Sequence, residues 1–149
     1  MLNSPLRYPQ LCEILDAAVE SANLFYAIRV DGHFRHICTR SVPRQSKPYP
    51  PLSAVTEHQP VFNLYEMSGT LVGFRSPQFA KGMNVPGYHL HFLSDDRRAG
   101  GHVLALELER GRLLIDDTSN FHVELPMDET FLSAKLGGDR SKDVQKVEK

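Results

Sequence analysis

Three histidines are spaced so that together they could bind a metal ion. His89 and His91 alternate within the run Gly87–Leu93, so a strand would place both on one face, with α-carbons about 6.5 Å apart. The polar segment that follows ends in Gly100-Gly101 and predicts an antiparallel hairpin, which would bring His102 beside them. Three imidazoles from two adjacent strands suit Zn²⁺ with open coordination positions, an arrangement typical of catalytic sites. Two solvated histidines on a strand would look the same, but the third one favours the metal.

Composition indicates the broad class of the protein and the partners that it gives no reason to expect. The chain has 149 residues, enough for one domain with a proper core, and its 41% apolar and 23% charged residues are ordinary for a globular protein. A net charge of −1 gives no reason to expect nucleic acid or an anionic membrane as partner. Cys12 and Cys38 have no metal or redox spacing, which predicts buried thiols in a reducing compartment. With no signal peptide or spanning segment recognised, the sequence predicts a cytoplasmic location.

The apolar pattern predicts an α+β fold. A stripe of apolar residues at steps of three and four predicts a helix from about Pro9 to Ser21, and shorter helices are predicted at Leu52 to His58 and Asp128 to Lys135. Between them, glycine-containing turns at Asp31-Gly32, Ser68-Gly69 and Arg110-Gly111 predict hairpins. The predicted strands outside the histidine hairpin are Leu24–Val30, His33–Arg40, Val61–Met67, Thr70–Arg75, Val103–Glu109, Leu113–Asp116 and Phe121–Leu125. About eight strands predict a mainly antiparallel, curved or barrel-like β-sheet with an N-terminal helix and short C-terminal helices.

The remaining polar candidates are weaker. Arg40 ends a strand just before a proline-rich connection, where it could clamp a substrate carboxylate with its bidentate fork. Taken alone, a surface cation is the more ordinary interpretation. His33 and His36 are three positions apart, so a regular strand would place them on opposite faces as hydrogen-bonded or solvated side chains. His122 is expected at the surface.

A longer stretch of sequence resembles one enzyme family. The run GYHLHFLSDDRRAGGHVL, preceded by GTLVGFRSPQF and by FYAIRVDGHFRHICTRSVPRQSKPYPPL, resembles the acetolactate decarboxylases, which read GYHLHF, D-R and G-G-H-V-L and carry R-x-V-P-x-Q upstream. The match extends from about Asn23 to Leu136. The resemblance implies zinc bound by His89, His91 and His102, with Arg40 as the active-site arginine. It also implies a catalytic acid near the C-terminus, here Glu148, on a tail that folds back although its composition predicts fraying.

The implied reaction is the decarboxylation of 2-acetolactate to (R)-acetoin and CO₂, a step of acetoin and butanediol biosynthesis. The resemblance implies that zinc acts as the electron sink and that Arg40 binds the substrate carboxylate. It implies that Glu148 delivers a proton to the enediolate that forms when CO₂ leaves. The partner would be this small molecule.

The sequence also departs from the family. Family members have an N-terminal segment with a G-x-F/D-G-E type stretch whose Glu acts in the site, and nothing here matches it. Residues 1–149 would then be a single domain resembling the C-terminal, metal-binding part of the enzyme. Its uncovered sheet edge favours self-association, for example as a homodimer. Ala105 also stands where the family often has Asp.

Two other functions stay open. A cupin-like metal-dependent oxygenase or hydrolase also uses a His-x-His pair with a distant third His, but commonly adds a nearby Glu. The acids near this pair are Asp95 and Asp96, which are expected to brace the turn through Arg97 and Arg98. A non-catalytic or impaired metal-binding remnant is the other alternative, because the N-terminal Glu of the family has no counterpart.

Overall fold

A computed structural model describes residues 1–2, 5–55 and 59–138 of the chain. The strands and helices follow one another as β1 (Leu6–Arg7), α1 (Tyr8–Ala18), β2 (Phe25–Arg40), α2 (Leu52–Val55), β3 (Val61–Ser76), β4 (Gly87–Ser94), β5 (Gly100–Thr118) and α3 (Glu129–Leu132). A short 3₁₀ turn, Gln78–Ala80, lies between β3 and β4. No helix in these described ranges is long and apolar enough to cross a membrane.

The five strands form one antiparallel sheet that closes on itself. The strand order is β1-β5-β2-β3-β4, and β4 pairs again with β5. This closure gives the sheet an inner face, which holds the core, and an outer face. The predicted fold class is therefore confirmed: a mainly antiparallel, curved sheet with an N-terminal helix and a short helix near the C-terminal end of the described chain.

The predicted hairpins at three glycines are wrong, because each glycine lies inside a long continuous strand. Gly32 on β2 is paired with Gly69 on β3 and with Gly111 on β5, so the three glycines form a row across the sheet. A Cβ added to Gly32 would lie 2.5 Å from the backbone oxygen of Arg110. Glycine in a strand often marks a sharp bend or a close backbone approach. We infer that this row bends the three strands together, where the local sequence suggested three separate turns.

An irregularity in β2 corrects the predicted faces of this strand. The register of β2 against β5 shifts on both sides of the pair Phe34–Leu108. This irregularity interrupts the alternation of inward and outward side chains, so the consecutive residues Arg35 and His36 both lie on the outer face. Phe34 and Ile37 are both buried in the core, while His36 contacts the outward-facing Asn63. His33 and His36 consequently share the outer face rather than lying on opposite faces.

Helix α1 packs on the sheet through its predicted apolar stripe. It begins one residue before Pro9 and ends at Ala18, three residues before the predicted end, and its Leu11 and Leu15 are fully buried. The core consists of apolar side chains from α1 and β2 to β5: Leu11, Leu15, Ile28, Val30, Phe34, Ile37, Leu71, Leu90, Phe92, Val103, Leu106 and Leu108.

The two cysteines are free thiols, as their spacing predicted. Both are half-buried rather than fully buried. Burial, followed by the charges of Asp16 and Glu13, raises the pKa of Cys12 to about 11. The Cys12 thiol is therefore protonated at neutral pH and is a poor nucleophile.

The C-terminal part differs from its predicted structure in one element. Residues 121–125 do not form a strand; Phe121 instead stacks on Phe25, with ring centroids 5.2 Å apart. Asp128 caps α3 by accepting a hydrogen bond from the backbone N–H of Phe131, and the helix ends at Leu132. Helix α2 begins at Leu52 as predicted and is described to Val55; the rest of the predicted range falls on residues 56–58, outside the described residues.

A polar network fastens α1 to the strand that carries His89. The Asp16 carboxylate on α1 accepts hydrogen bonds from the Tyr88 hydroxyl at 2.7 Å and from Arg75 Nε at 2.9 Å. Burial, helped by Asp16, raises the pKa of Tyr88, so its hydroxyl stays a donor at neutral pH. Arg75 and Tyr88 are directly opposite each other on β3 and β4.

We expect Asp16→Ala to lower the free energy of unfolding by about 1 kcal/mol. A hydrogen bond to a charged group contributes more than this when buried, but solvent screens the half-exposed Asp16 side chain. Denaturant unfolding followed by circular dichroism measures the change. Glu13→Ala, on the exposed side of the same helix, is the matched control. An equal loss in both variants would show that the network contributes nothing beyond helix formation.

Candidate metal centre

The three histidines meet where β4 pairs with β5. His89 and His91 lie on the outer face of β4, and His102 on β5 is directly opposite His91. The Nε2 atoms of His89 and His91 are 3.0 Å apart, and the ring of His102 lies 4.7 Å from that of His89 between centroids. One ring nitrogen from each histidine falls within 4.8 Å of the other two. The predicted hairpin is therefore present, and it brings these side chains together.

The turn between β4 and β5 is held by side-chain hydrogen bonds. The Ser94 hydroxyl donates to Asp96 Oδ1 at 2.6 Å and accepts from the Ala99 N–H at 3.0 Å. Asp96 also accepts from the backbone N–H of Arg98, and these two bonds, Ser94 first, lower the pKa of its carboxyl. Asp96 thus braces the turn as predicted, with the Ser94 hydroxyl and the Arg98 backbone N–H as its partners, while the backbone N–H of Asp95 donates to the Ser68 carbonyl on β3. Only two residue pairs separate the turn from the His91–His102 pair, so the turn sets their register.

A glycine allows β5 to approach β2 closely next to His102. Gly101 has φ of +146°, and a Cβ there would lie 2.6 Å from the backbone oxygen of Arg40. Only glycine fits such a position without displacing the neighbouring strand. As a result, His102 pairs directly with Arg40 on β2 as well as with His91 on β4.

Arg40 is buried beside the histidines, with only 4% of its surface exposed. The segment that follows it is tied at its base, where the Ser41 N–H donates to the Pro60 carbonyl at 3.1 Å. This burial contradicts the interpretation of Arg40 as a surface cation. Arg40 is directly opposite His102, and its positive charge helps to lower the pKa of that histidine, so the arginine lies close to the cluster.

The electrostatics of the cluster keep the imidazole of His102 available as a ligand. Burial, reinforced by the positive charge of Arg40 and by the two other histidines, lowers the pKa of His102 to about 4. A neutral imidazole offers a lone pair to a metal ion. Three imidazole nitrogens within 4.8 Å of one another fit the donor set of a Zn²⁺ ion that keeps one or more open positions. The cluster could hold a metal ion; within the described ranges it is the one group of three or more His, Cys, Asp or Glu that meets this geometry.

The structure also shows neighbours of the histidines whose role could not be predicted from the sequence. Phe74 is directly opposite His89, and Val72 is directly opposite His91, both on the outer face of β3. In the sequence, Val72 and Phe74 alternate with Leu71 and Gly73, as the residues of a strand do. This alternation does not show whether Val72 and Phe74 or Leu71 and Gly73 face inward, since both pairs contain apolar side chains.

The other predicted residues lie elsewhere. His33 and His36 are hydrogen-bonded, as predicted, His33 Nε2 to Glu66 at 3.0 Å and His36 Nε2 to Asn63 at 2.8 Å, but both lie on the outer face. His122 is exposed, as expected. The predicted catalytic acid, Glu148, falls outside the described residues.

Comparison with known proteins gives one consistent family. A family model described as alpha-acetolactate decarboxylase matches residues 1–138. The alpha-acetolactate decarboxylase of Methanosarcina mazei is 52% identical over 140 residues, which are 94% of this chain and 49% of that protein. That of Raoultella terrigena is 47% identical over 135 residues, 91% of this chain and 52% of that protein. The chain therefore spans about half the length of the curated relatives it matches.

The solved structures agree with the sequence relatives. The crystal structure of alpha-acetolactate decarboxylase from Bacillus subtilis strain 168 superposes with a TM-score of 0.94 at 37% identity, covering 99% of this chain and 63% of that chain. The motifs around the histidines, the arrangement of the strands and the family match all point the same way. The chain belongs to the alpha-acetolactate decarboxylase family.

Proposed function

We propose that the chain catalyses the zinc-dependent decarboxylation of 2-acetolactate to (R)-acetoin and CO₂. The observation that carries this proposal is the convergence of three imidazole nitrogens beside one buried arginine, in a chain of this family. The relatives named above are carboxy-lyases by their names, and the substrate is transferred to this chain on that basis. A cytoplasmic location and a role in acetoin and butanediol formation are part of the same proposal.

Arg40 binds the carboxylate that will leave as CO₂. Its guanidinium can form two parallel hydrogen bonds to a carboxylate, which fixes both the position and the orientation of the group. Such a clamp aligns the breaking carbon–carbon bond with the neighbouring ketone, so that its electron pair moves toward the ketone oxygen. Since Arg40 is directly opposite His102, the clamp and the metal ligands lie on neighbouring strands.

His89, His91 and His102 would hold the metal ion. A Zn²⁺ ion bound there would supply a Lewis acid that stabilises the negative charge developing during the reaction. The neutral imidazole of His102 leaves the charge of the ion undiminished, which its low pKa supports.

Protonation of the carbon that loses CO₂ completes the reaction. We assign the proton donor to Glu148, on the resemblance stated above. A carboxylic acid suits this role because it can deliver a proton at near-neutral pH when its surroundings raise its pKa. The balance is one carbon–carbon bond broken, one carbon–hydrogen bond formed, and CO₂ and acetoin released.

Metal removal tests the proposal. Purified protein is stripped with a chelator, reloaded with Zn²⁺, and incubated with racemic acetolactate, and acetoin is measured against the spontaneous rate. We expect acetoin release by the reloaded protein and only the spontaneous rate from the stripped protein. Stoichiometric zinc without acetoin above the spontaneous rate would contradict the proposed activity and favour a non-catalytic metal-binding chain.

A further inference from the structure

The outer face carries an apolar patch directly beside the two histidines of β4. Phe74 is 50% exposed and is paired with His89, while Val72 is 49% exposed and is paired with His91. Directly opposite residues of antiparallel strands share a face, with Cβ atoms about 4.5–5.5 Å apart. Leu93, two residues beyond His91 on the same face, is 47% exposed. We call Val72, Phe74 and Leu93 the apolar wall.

The opposite side of the centre is cationic. The strand β2 contributes Arg40, directly across from His102, and Arg40 is buried and charged. A ligand at the three histidines would therefore meet a positive charge on one side and half-exposed apolar side chains on the other. This asymmetry suits a molecule with a carboxylate at one end and alkyl groups at the other.

We propose that Val72 and Phe74 of the apolar wall determine the size of the alkyl groups that the site accepts on a small hydroxy acid whose carboxylate is held by Arg40. The proposal rests on the function proposed above, since it assumes that ligands bind at the histidine centre. It adds a specificity-determining role for Val72 and Phe74.

The physical driving force is burial of apolar surface. A side chain that is half exposed on a sheet face still loses contact with water when an alkyl group covers it. Each added methylene that becomes buried is expected to strengthen binding by up to about 4-fold. A polar substituent of the same size would lose its hydrogen bonds to water against this wall and bind more weakly.

Binding of two unreactive acids to the zinc-loaded full chain tests the proposal. Both carry a hydroxyl and a carboxylate on one carbon, which bears two methyl groups in one acid and two ethyl groups in the other. Isothermal titration calorimetry gives the ratio of their dissociation constants without any turnover. We expect the wild type to prefer the diethyl acid by about 4-fold to 15-fold, for one or both added methylenes buried.

Two wall variants and one control make the result decisive. We expect Phe74→Ala, and Val72→Thr as the variant of nearly unchanged shape, to reduce this preference by at least about 2-fold while zinc content stays the same. Leu114→Ala is the matched control, because Leu114 is an exposed apolar residue two strands away from Val72 across Arg29. It should leave the preference unchanged. An unchanged ratio in both wall variants, an equal fall in the control, or no binding of either acid would each overturn the proposal.

The acetoin assay separates this proposal from the proposed activity. The expected preference without acetoin release would support the role of the apolar wall and contradict the proposed decarboxylase activity. Acetoin release with an unchanged preference in both wall variants would support the proposed activity and contradict the proposed role of the apolar wall.

Discussion

Replacing any one of His89, His91 and His102 by alanine is expected to abolish zinc-dependent acetoin release and to weaken zinc binding by more than about 100-fold. Loss of a residue that merely supports a ligand costs about 10-fold to 100-fold in affinity, so loss of a ligand should cost more. The three nitrogens lie within 4.8 Å of one another, and each variant would leave only two of them. Zinc content after gel filtration and the acetoin rate are the two measurements.

A histidine outside the cluster gives the matched control. His36 lies on the same outer face, is hydrogen-bonded to Asn63 and stacks on Tyr65. His36→Ala should keep its zinc and its rate. If one of the three cluster variants retained stoichiometric zinc with wild-type affinity, that histidine would not be a ligand, and the proposed centre would need another donor.

The histidine hairpin could be predicted because its signals are local. Its turn, its two strands and its three histidines all lie within Gly87–Val103, and alternation alone places His89 and His91 on one face. Pairing with His102 then follows from the length of the turn. The apolar stripe of α1 was predictable for the same reason: Leu11 and Leu15 stand at helical spacing within one short segment.

The long strands could not be predicted, because a glycine that bends a sheet looks like a glycine that ends a strand. Asp31-Gly32 is a strong hairpin signal, yet Gly32 faces Gly69 and Gly111 on its neighbours. The row of three glycines forms only when the three strands pair with one another, so no short stretch of the sequence reveals it. The irregularity around Arg35 was invisible for a similar reason, and it moved His36 to the face of His33.

The surroundings of the histidines also depended on pairing. The burial of Arg40 comes from its place between neighbouring strands, whereas its sequence context suggested a surface cation. Phe74 and Val72 came to lie beside the histidines through the register of β3 against β4. The sequence therefore predicted which residues could bind a metal, while the structure was needed to show what surrounds it.

Arg40→Gln is expected to lower kcat/KM for acetolactate by about 100-fold, with zinc content unchanged. One hydrogen-bonding or charge contact that stabilises a transition state is typically worth roughly 3 kcal/mol, which corresponds to this factor. Arg40→Lys keeps the charge but loses the planar fork that matches a carboxylate. We expect its kcat/KM to fall between those of the wild type and Arg40→Gln, since a lysine attracts the carboxylate without fixing its orientation.

Arg29→Gln separates the role of Arg40 from a general effect of positive charge. Arg29 lies on the same strand, is largely exposed and pairs with Asp31 at 2.9 Å. Its replacement should leave kcat/KM within about 2-fold of the wild type, because exposed charges act weakly through water. Thermal unfolding of all three variants checks that they are folded. Wild-type kcat/KM in a folded, zinc-loaded Arg40→Gln variant would contradict the clamp, and the substrate carboxylate would then have to be held by another group.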